Sequence, residues 1–210
     1  MATMTQTRRL FLATLLPAAL MASALPAAAE KLSLPALSQY LNGLKTATGE
    51  FTQINDDGTI STGKIIIKRP GRVRFEYNPP DKTLVVSNGS TVGILDGKSN
   101  EPPQGYPLNR TPLSIILARN VDLSRARMVV GHTSDGKTTT VRAQDPKNPE
   151  YGSIDLVFTG SPVQLRQWVI NDGSGSRTTV ILGDLKRGGN YPQSLFEMPG
   201  LKNTVNGIDR

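Results

Sequence analysis

From Leu34 onward the apolar positions recur first at helical and then at alternating spacing. Leu34, Leu37, Leu41 and Leu44 fall on one helical face, with Ser33 where a side-chain cap is wanted and Pro35 in the first turn, so an amphipathic helix is predicted. From Glu50 short β-branched and aromatic runs take over, broken at Asp56-Asp57-Gly58, Pro79-Pro80-Asp81, Ser87-Asn88-Gly89 and Asp96-Gly97-Lys98, which read as hairpin turns. A second helix is predicted over residues 111–120, with Thr111 as cap, Pro112 as first helical residue and apolar side chains on most of its circumference. Strands then resume, with turns at Ser134-Asp135-Gly136, Asp145-Pro146-Lys147, Gly160-Ser161-Pro162 and Asp172-Gly173-Ser174-Gly175. The pattern predicts roughly ten strands and two helices. The helices do not alternate with strands, so they are not parallel crossovers, and an antiparallel sheet of this size tends to curl. The expected class is α+β, mainly β: one curled antiparallel sheet with the helices plugging or covering it.

Alternation then sorts the side chains. Between Gly63 and Arg69 the pleat places Lys64, Ile66 and Lys68 on one face and Ile65, Ile67 and Arg69 on the other. The next run sends Arg72, Arg74 and Glu76 outward and Val73, Phe75 and Tyr77 to the apolar side. Ile65, Ile67, Val73, Phe75 and Tyr77 are therefore expected to line one apolar face, shared with Leu113, Ile116 and Leu117 of the second helix. Arg69 is projected among isoleucines. Either its guanidinium finds several carbonyls or a carboxylate, or it sits at a strand end and reaches out to solvent. Trp168, within Gln164-Leu165-Arg166-Gln167-Trp168-Val169-Ile170, could face either side.

The N-terminus sets the compartment. Arg8 and Arg9 precede an uncharged apolar stretch from Leu10 to Leu25, interrupted by Pro17 and closing on Ala27-Ala28-Ala29. That is the pattern of a secretory signal peptide, too short for a membrane span, with cleavage expected after Ala29 and export by either the general or the twin-arginine route. The expected division is a signal peptide at 1–29 and one domain at 30–210. Without Arg8 and Arg9 the chain keeps 22 basic and 17 acidic side chains, a net charge of +5. The basic residues are spread among carboxylates rather than clustered, so no nucleic-acid partner is expected. There is no Cys for disulfides or acylation. A soluble monomer relying on its own core is expected.

Several motifs invite chemistry and decline it on context. Gly131-His132-Thr133-Ser134-Asp135-Gly136-Lys137-Thr138 matches a phosphate-loop spacing, yet strand-forming Thr138-Thr139-Thr140-Val141 follows where a helix is required, so a hairpin turn is expected. His132 is the only histidine and reads as a solvated residue beside that turn, with neither a metal cluster nor a nucleophile elbow around it. Asp56 and Asp57 share a turn and face apart, unsuited to paired acid-base work. Asn88-Gly89-Ser90 and Asn109-Arg110-Thr111 match the glycosylation acceptor by composition only.

The stretch from Gly63 to Tyr77, GKIIIKRPGRVRFEY, followed by Pro79-Pro80 and Leu84-Val85-Val86-Ser87-Asn88-Gly89, resembles the central signature of the LolA family of periplasmic outer-membrane lipoprotein carriers. Phe51-Thr52-Gln53 is similar to that family's first strand, and Thr111-Pro112-Leu113-Ser114-Ile115-Ile116-Leu117 resembles its lid helix. The likeness covers nearly the whole chain after residue 29, strongest from Phe51 to Asp96 and loose after Asn120. It implies an unclosed β-barrel whose hydrophobic cavity is capped by helices. Pro112, Leu113, Ile116 and Leu117 then belong to a lid, and Arg69 becomes a latch bonded to lid backbone. It also implies a non-enzymatic chaperone with no cofactor or metal. Its cargo would be the acyl chains of lipoproteins, its donor an inner-membrane ABC exporter and its acceptor an outer-membrane receptor. Val92-Gly93-Ile94 stands where relatives are more aromatic, and the tail from Leu201 is polar. A related periplasmic lipid carrier or envelope-stress sensor could use the same curled sheet, and a periplasmic hydrolase is the more distant alternative.

Overall fold

The computed structural model describes residues 30–198 and 200, and the backbone of 204–205 and 208–209. The expected signal peptide lies outside the described residues, as does most of the polar tail.

The first helix, α1 (Leu34–Gly43), forms as its pattern predicts: Ser33 Oγ accepts the Ala36 N–H, and Leu37 and Leu41 are buried with Leu44 just beyond the helix. Six strands follow as a meander: β1 (Thr46–Ile54), β2 (Ile60–Lys68), β3 (Arg72–Tyr77), β4 (Leu84–Asn88), β5 (Thr91–Leu95) and β6 (Gln104–Pro107). A strap then carries α2 (Leu113–Leu117) to a second meander: β7 (Val129–Ser134), β8 (Thr138–Gln144), β9 (Ser153–Thr159), β10 (Gln164–Asn171) and β11 (Arg177–Leu182). A two-residue β12 (Lys186–Arg187) pairs with β1, and β13 (Thr204–Val205) pairs with β14 (Ile208–Asp209) apart from the main sheet.

The main sheet has 12 strands, in the order β6-β5-β4-β3-β2-β1-β11-β10-β9-β8-β7 with β12 beside β1, and its pairings are antiparallel. It curls without closing: β6 and β7 are its two edges, and the strap carrying α2 runs from one edge to the other. The eight predicted turns fall between strands or, at Asp96-Gly97-Lys98, directly after one, and Gly58, Gly89, Gly136 and Gly175 take the positive φ that such turns need.

The concave side holds one core. Ile65, Ile67, Val73 and Phe75 join α1, Ile116, Leu117, Val141, Leu156 and Trp168 in it. Phe51 lies over Gly63, its register partner across β1 and β2, where an added Cβ would stand 2.7 Å from the ring and 2.2 Å from the Glu76 carbonyl. A second cluster sits on the convex side, where Ile66 and Val86 are covered by Phe196 and Met198.

Four expectations change. The second helix is half its predicted length, because Ala118 leaves helical geometry at ψ 147° and the carbonyls there are used by other elements. Thr111 does not cap it; its hydroxyl donates back to the Leu108 carbonyl at 2.9 Å. Ile66 points away from the cavity side as expected but is buried, since the chain returns over it. His132 is not simply solvated: Nε2 lies 2.9 Å from the Leu32 carbonyl.

Candidate functional site

The strand pair β2–β3 presents the predicted face. Ile65 pairs with Phe75 and Ile67 with Val73, so four apolar side chains meet in two cross-strand pairs, and all four are nearly excluded from solvent. Tyr77 stands one step beyond Phe75 on the same face. Its ring meets Phe51 edge-on at 5.0 Å, and its hydroxyl donates to Gln53 Oε1 at 2.6 Å. Burial, with the nearby Asp81 carboxylate, pushes the Tyr77 phenol up to about 12. Phe51 and Phe75 are edge-on at 5.4 Å, and Phe75 meets Trp168 edge-on at 6.1 Å. Trp168, undecided from the sequence, faces inward. A bulge between Leu165 and Gln167 shifts the register, so Leu165 and Trp168, an odd number of positions apart, both bury inward.

On the lid side Ile116 and Leu117 are buried in the same core, while Leu113 and Ile115 pack partly buried at its margin and Pro112 is half-buried where the helix starts. The side chains of α2 and of the β2–β3 face thus share one core.

Arg69, at the β2–β3 turn, points inward to backbone. Its Nε donates to the Ala118 carbonyl at 3.1 Å; Nη2 donates to the same oxygen and, at 3.4 Å, to Asn42 Oδ1; Nη1 donates to the Leu41 carbonyl. Desolvation holds its pKa below the usual guanidinium value, and it stays a cation at neutral pH. The neighbouring Gly71 N–H donates to the Leu117 carbonyl at 2.8 Å. The last carbonyls of α2, which no intrahelical donor can reach, are therefore satisfied by the β2–β3 turn. Of the two readings the residues left open for Arg69, the geometry follows the one with several carbonyls.

Sequence reasoning missed the second half of this fastening. Asn42 Nδ2 donates to the Val121 carbonyl at 2.8 Å and Asn42 Oδ1 accepts the Val121 N–H at 2.9 Å, a reciprocal pair joining α1 to the strap. Ser38 Oγ accepts the Leu123 N–H at 2.9 Å. Both residues sit on α1 about 80 positions before their partners, and no local pattern marks them.

The phosphate-loop spacing resolves into the β7–β8 hairpin. Asp135 Oδ1 accepts the N–H groups of Lys137 and Thr138 at 2.8 and 2.6 Å, and these backbone donors pull its pKa below the ordinary carboxylate value. Asn88 Oδ1 likewise accepts the Ser90 and Thr91 N–H groups inside its turn. Among the described residues no group of three or more His, Asp or Glu side chains could hold a metal ion, and no helix is long and apolar enough to cross a membrane.

The model of the family "Outer membrane lipoprotein carrier protein LolA" matches residues 42–199, well over half of the chain. The chain belongs to the LolA family. Relatives named outer-membrane lipoprotein carrier protein include one from Coxiella burnetii, 28% identical over 170 residues, covering 77% of this chain and 80% of that protein. Another, from Azotobacter vinelandii, is 28% identical over 174 residues, covering 77% of this chain and 81% of its own. A crystal structure of a LolA superfamily protein from Nitrosomonas europaea aligns over 81% of this chain and 100% of that one at 9% identity, with a TM-score of 0.44. LolA proteins are carriers rather than enzymes, and the large open sheet with few helices is the architecture expected of a LolA chain.

Proposed function

We propose that this LolA chain carries lipoproteins through the periplasm, taking their acyl chains into the space between the β2–β3 face and α2. The observation that supports this most is the seating of α2: Ile116 and Leu117, the buried residues of a five-residue helix, belong to the same core as Ile65, Ile67, Val73 and Phe75, and its last carbonyls are held by the β2–β3 turn. A helix so short has little stability of its own. It stays in place through packing and through its terminal carbonyls, so an acyl chain can replace its side chains one apolar surface for another.

The energies fit a reversible carrier. Each methylene withdrawn from water contributes about 0.8 kcal/mol, so an acyl chain of about sixteen carbons represents on the order of 12 kcal/mol, far too much to cross water unaided. A lid that competes for its own cavity lowers the net affinity to a level from which cargo can leave. Arg69 is the latch in this reading: its bonds favour the closed, empty form and help return the lid once cargo has gone. Loading would come from an inner-membrane ABC exporter and unloading would go to an outer-membrane receptor.

Trp168 provides the test. It is the only tryptophan in the sequence and lies against Phe75 in the core. Delipidated protein should bind a synthetic triacylated lipopeptide with brominated acyl chains, with saturable quenching of Trp168. A chromogenic ester should remain unhydrolysed. Quenching by a brominated phospholipid but not by the lipopeptide would instead assign a general lipid carrier, and no quenching by either would end the cavity reading.

A further inference from the structure

The lid is fastened on one flank only. Leu117 and Ala118 are held by Gly71 and Arg69, Val121 by Asn42 and Leu123 by Ser38. At the start of the strap the Leu108 N–H donates to the Ser90 carbonyl at 2.7 Å. These partners belong to α1 and to the β2–β3 and β4–β5 turns. On the opposite flank α2 faces the end of β8 and the connection to β9 across a narrow crevice. Among the described residues no hydrogen bond joins 111–117 to the far wall of that crevice.

We infer that acyl chains enter through this crevice, which is lined by Pro112, Ile115, Met128, Ala143 and Tyr151 with Arg110 at its mouth. The inference rests on the carrier reading above and adds where the lid opens and what its rim recognises. One part of the lining is apolar and leads inward, since Ala143 belongs to the main core and Ile115 packs against it, while Asn109, Thr111, Gln144 and Asp145 line the rest. Swinging α2 away from this wall breaks dispersion contacts alone, and an arriving acyl chain restores them. The mouth is polar. Arg110 is exposed, and among the described residues it has no hydrogen-bond or ion-pair partner. An amphipathic ligand with a hydrocarbon tail and ester or amide carbonyls at its head matches both parts, the tail between the walls and the carbonyls accepting from Arg110. Two clefts border the fastened flank: one, between Gly71, Ser90, Leu108 and Leu117, is bridged by the Gly71–Leu117 and Leu108–Ser90 bonds, and the other is lined by Asn42, Lys45, Arg69, Pro70, Arg119 and Asn120. Its lining is polar except for Pro70, and the Arg69 bonds bar the way inward.

The native sequence lacks cysteine, so paired cysteines can be placed cleanly. Pro112→Cys with Tyr151→Cys, closed by a short bifunctional thiol reagent, should slow Trp168 quenching by brominated triacyl lipopeptide at least tenfold relative to the same variant left open. Equal rates in the two forms would overturn the doorway while leaving the carrier reading intact. Failure of the unmodified parent to be quenched would remove the carrier reading itself. A second measurement avoids the pair: an environment-sensitive fluorophore on Tyr151→Cys should shift on lipopeptide addition, and the same dye on Arg119→Cys should not. A shift at residue 119 alone would place the opening on the flank assigned here to the hinge.

Discussion

Trp168 and Phe75 meet edge to face with ring centroids 6.1 Å apart, although β2, β1 and β11 lie between their strands in the sheet order. Such a contact exists only because the sheet curls far enough to bring its own concave face together. The interior is thus pinned near its middle by two aromatic rings from opposite halves of the chain.

Removing one of these rings should cost the whole core. Phe75 is 6% exposed, and truncating a buried phenylalanine to alanine typically costs about 3–5 kcal/mol. Phe75→Ala is expected to lower the denaturant midpoint by a corresponding amount and to shift Trp168 emission to the red. Parent-like stability would mean that the β3 face does not support the core.

Arg69→Leu strips two lid and helix carbonyls of their donor. Bonds from a charged donor contribute about 1.5–3 kcal/mol each, enough to shift a closed-to-open balance about tenfold or more. Cargo uptake from donor membranes should rise while transfer to acceptor membranes falls, because reclosure no longer helps to expel the acyl chains. Transfer equal to the parent would return Arg69 to a purely architectural role. Arg69→Lys should not restore the parent, since an ammonium cannot reproduce the guanidinium fork shared by Leu41 and Ala118.

Asn42→Ala opens the α1 side of the same fastening. Asn42 is exposed and its bonds to Val121 are part-buried, so their loss costs about 0.5–1.5 kcal/mol, and it is expected locally, as faster amide exchange at Val121 and Leu123 with little change in β8–β10. Unaltered protection at Val121 would show that the reciprocal pair does not hold the strap.

The Tyr77 phenol makes a pH prediction with a definite sign. Its folded pKa of about 12 lies above the ordinary value near 10. The folded state therefore holds the proton more tightly than the unfolded one. The associated stability is complete below about pH 10 and is lost as pH rises toward 12, at a slope of up to about 1.4 kcal/mol per pH unit. In urea titrations the parent should exceed Tyr77→Phe by about 1 kcal/mol at neutral pH, from the bond to Gln53. That advantage should shrink and reverse between pH 10 and 12. Parallel profiles through that range would place the phenol in solvent.

What the sequence disclosed and what it hid divide along physical lines. Ile65, Ile67, Val73, Phe75 and Tyr77 were legible because a regular pleat converts parity into sidedness, and the hairpins because Gly58, Gly89 and Gly136 mark backbone that other residues avoid. Trp168 was illegible because the bulge at Arg166 resets parity without any local sign. The half-length of α2 follows from donors on Arg69 and Gly71, more than forty positions earlier, and β6 contains Gly105 and Pro107, which read as loop and are tolerated only at a sheet edge. The burial of Ile66 depends on Phe196 and Met198 returning across the convex face. Of the candidate site, the sheet face could be read directly and the inward projection of Arg69 with it, but alternation left open whether its guanidinium bonds carbonyls or reaches solvent; Asn42, Ser38 and the crevice beside α2 are tertiary facts.

The strand order also governs when the protein becomes competent. Both meanders are built from neighbours in sequence, and they meet along a single ladder, β1 with β11, where Phe51 pairs with Leu182 and Ile54 with Thr179. Pairings this distant in sequence close late, after the local hairpins have formed. During synthesis the chain holds its first apolar surface, the β2–β3 face, open to solvent until β11 is available to pair with β1. During that interval the chain is itself exposed to aggregation, because the half that completes its concave core is still missing.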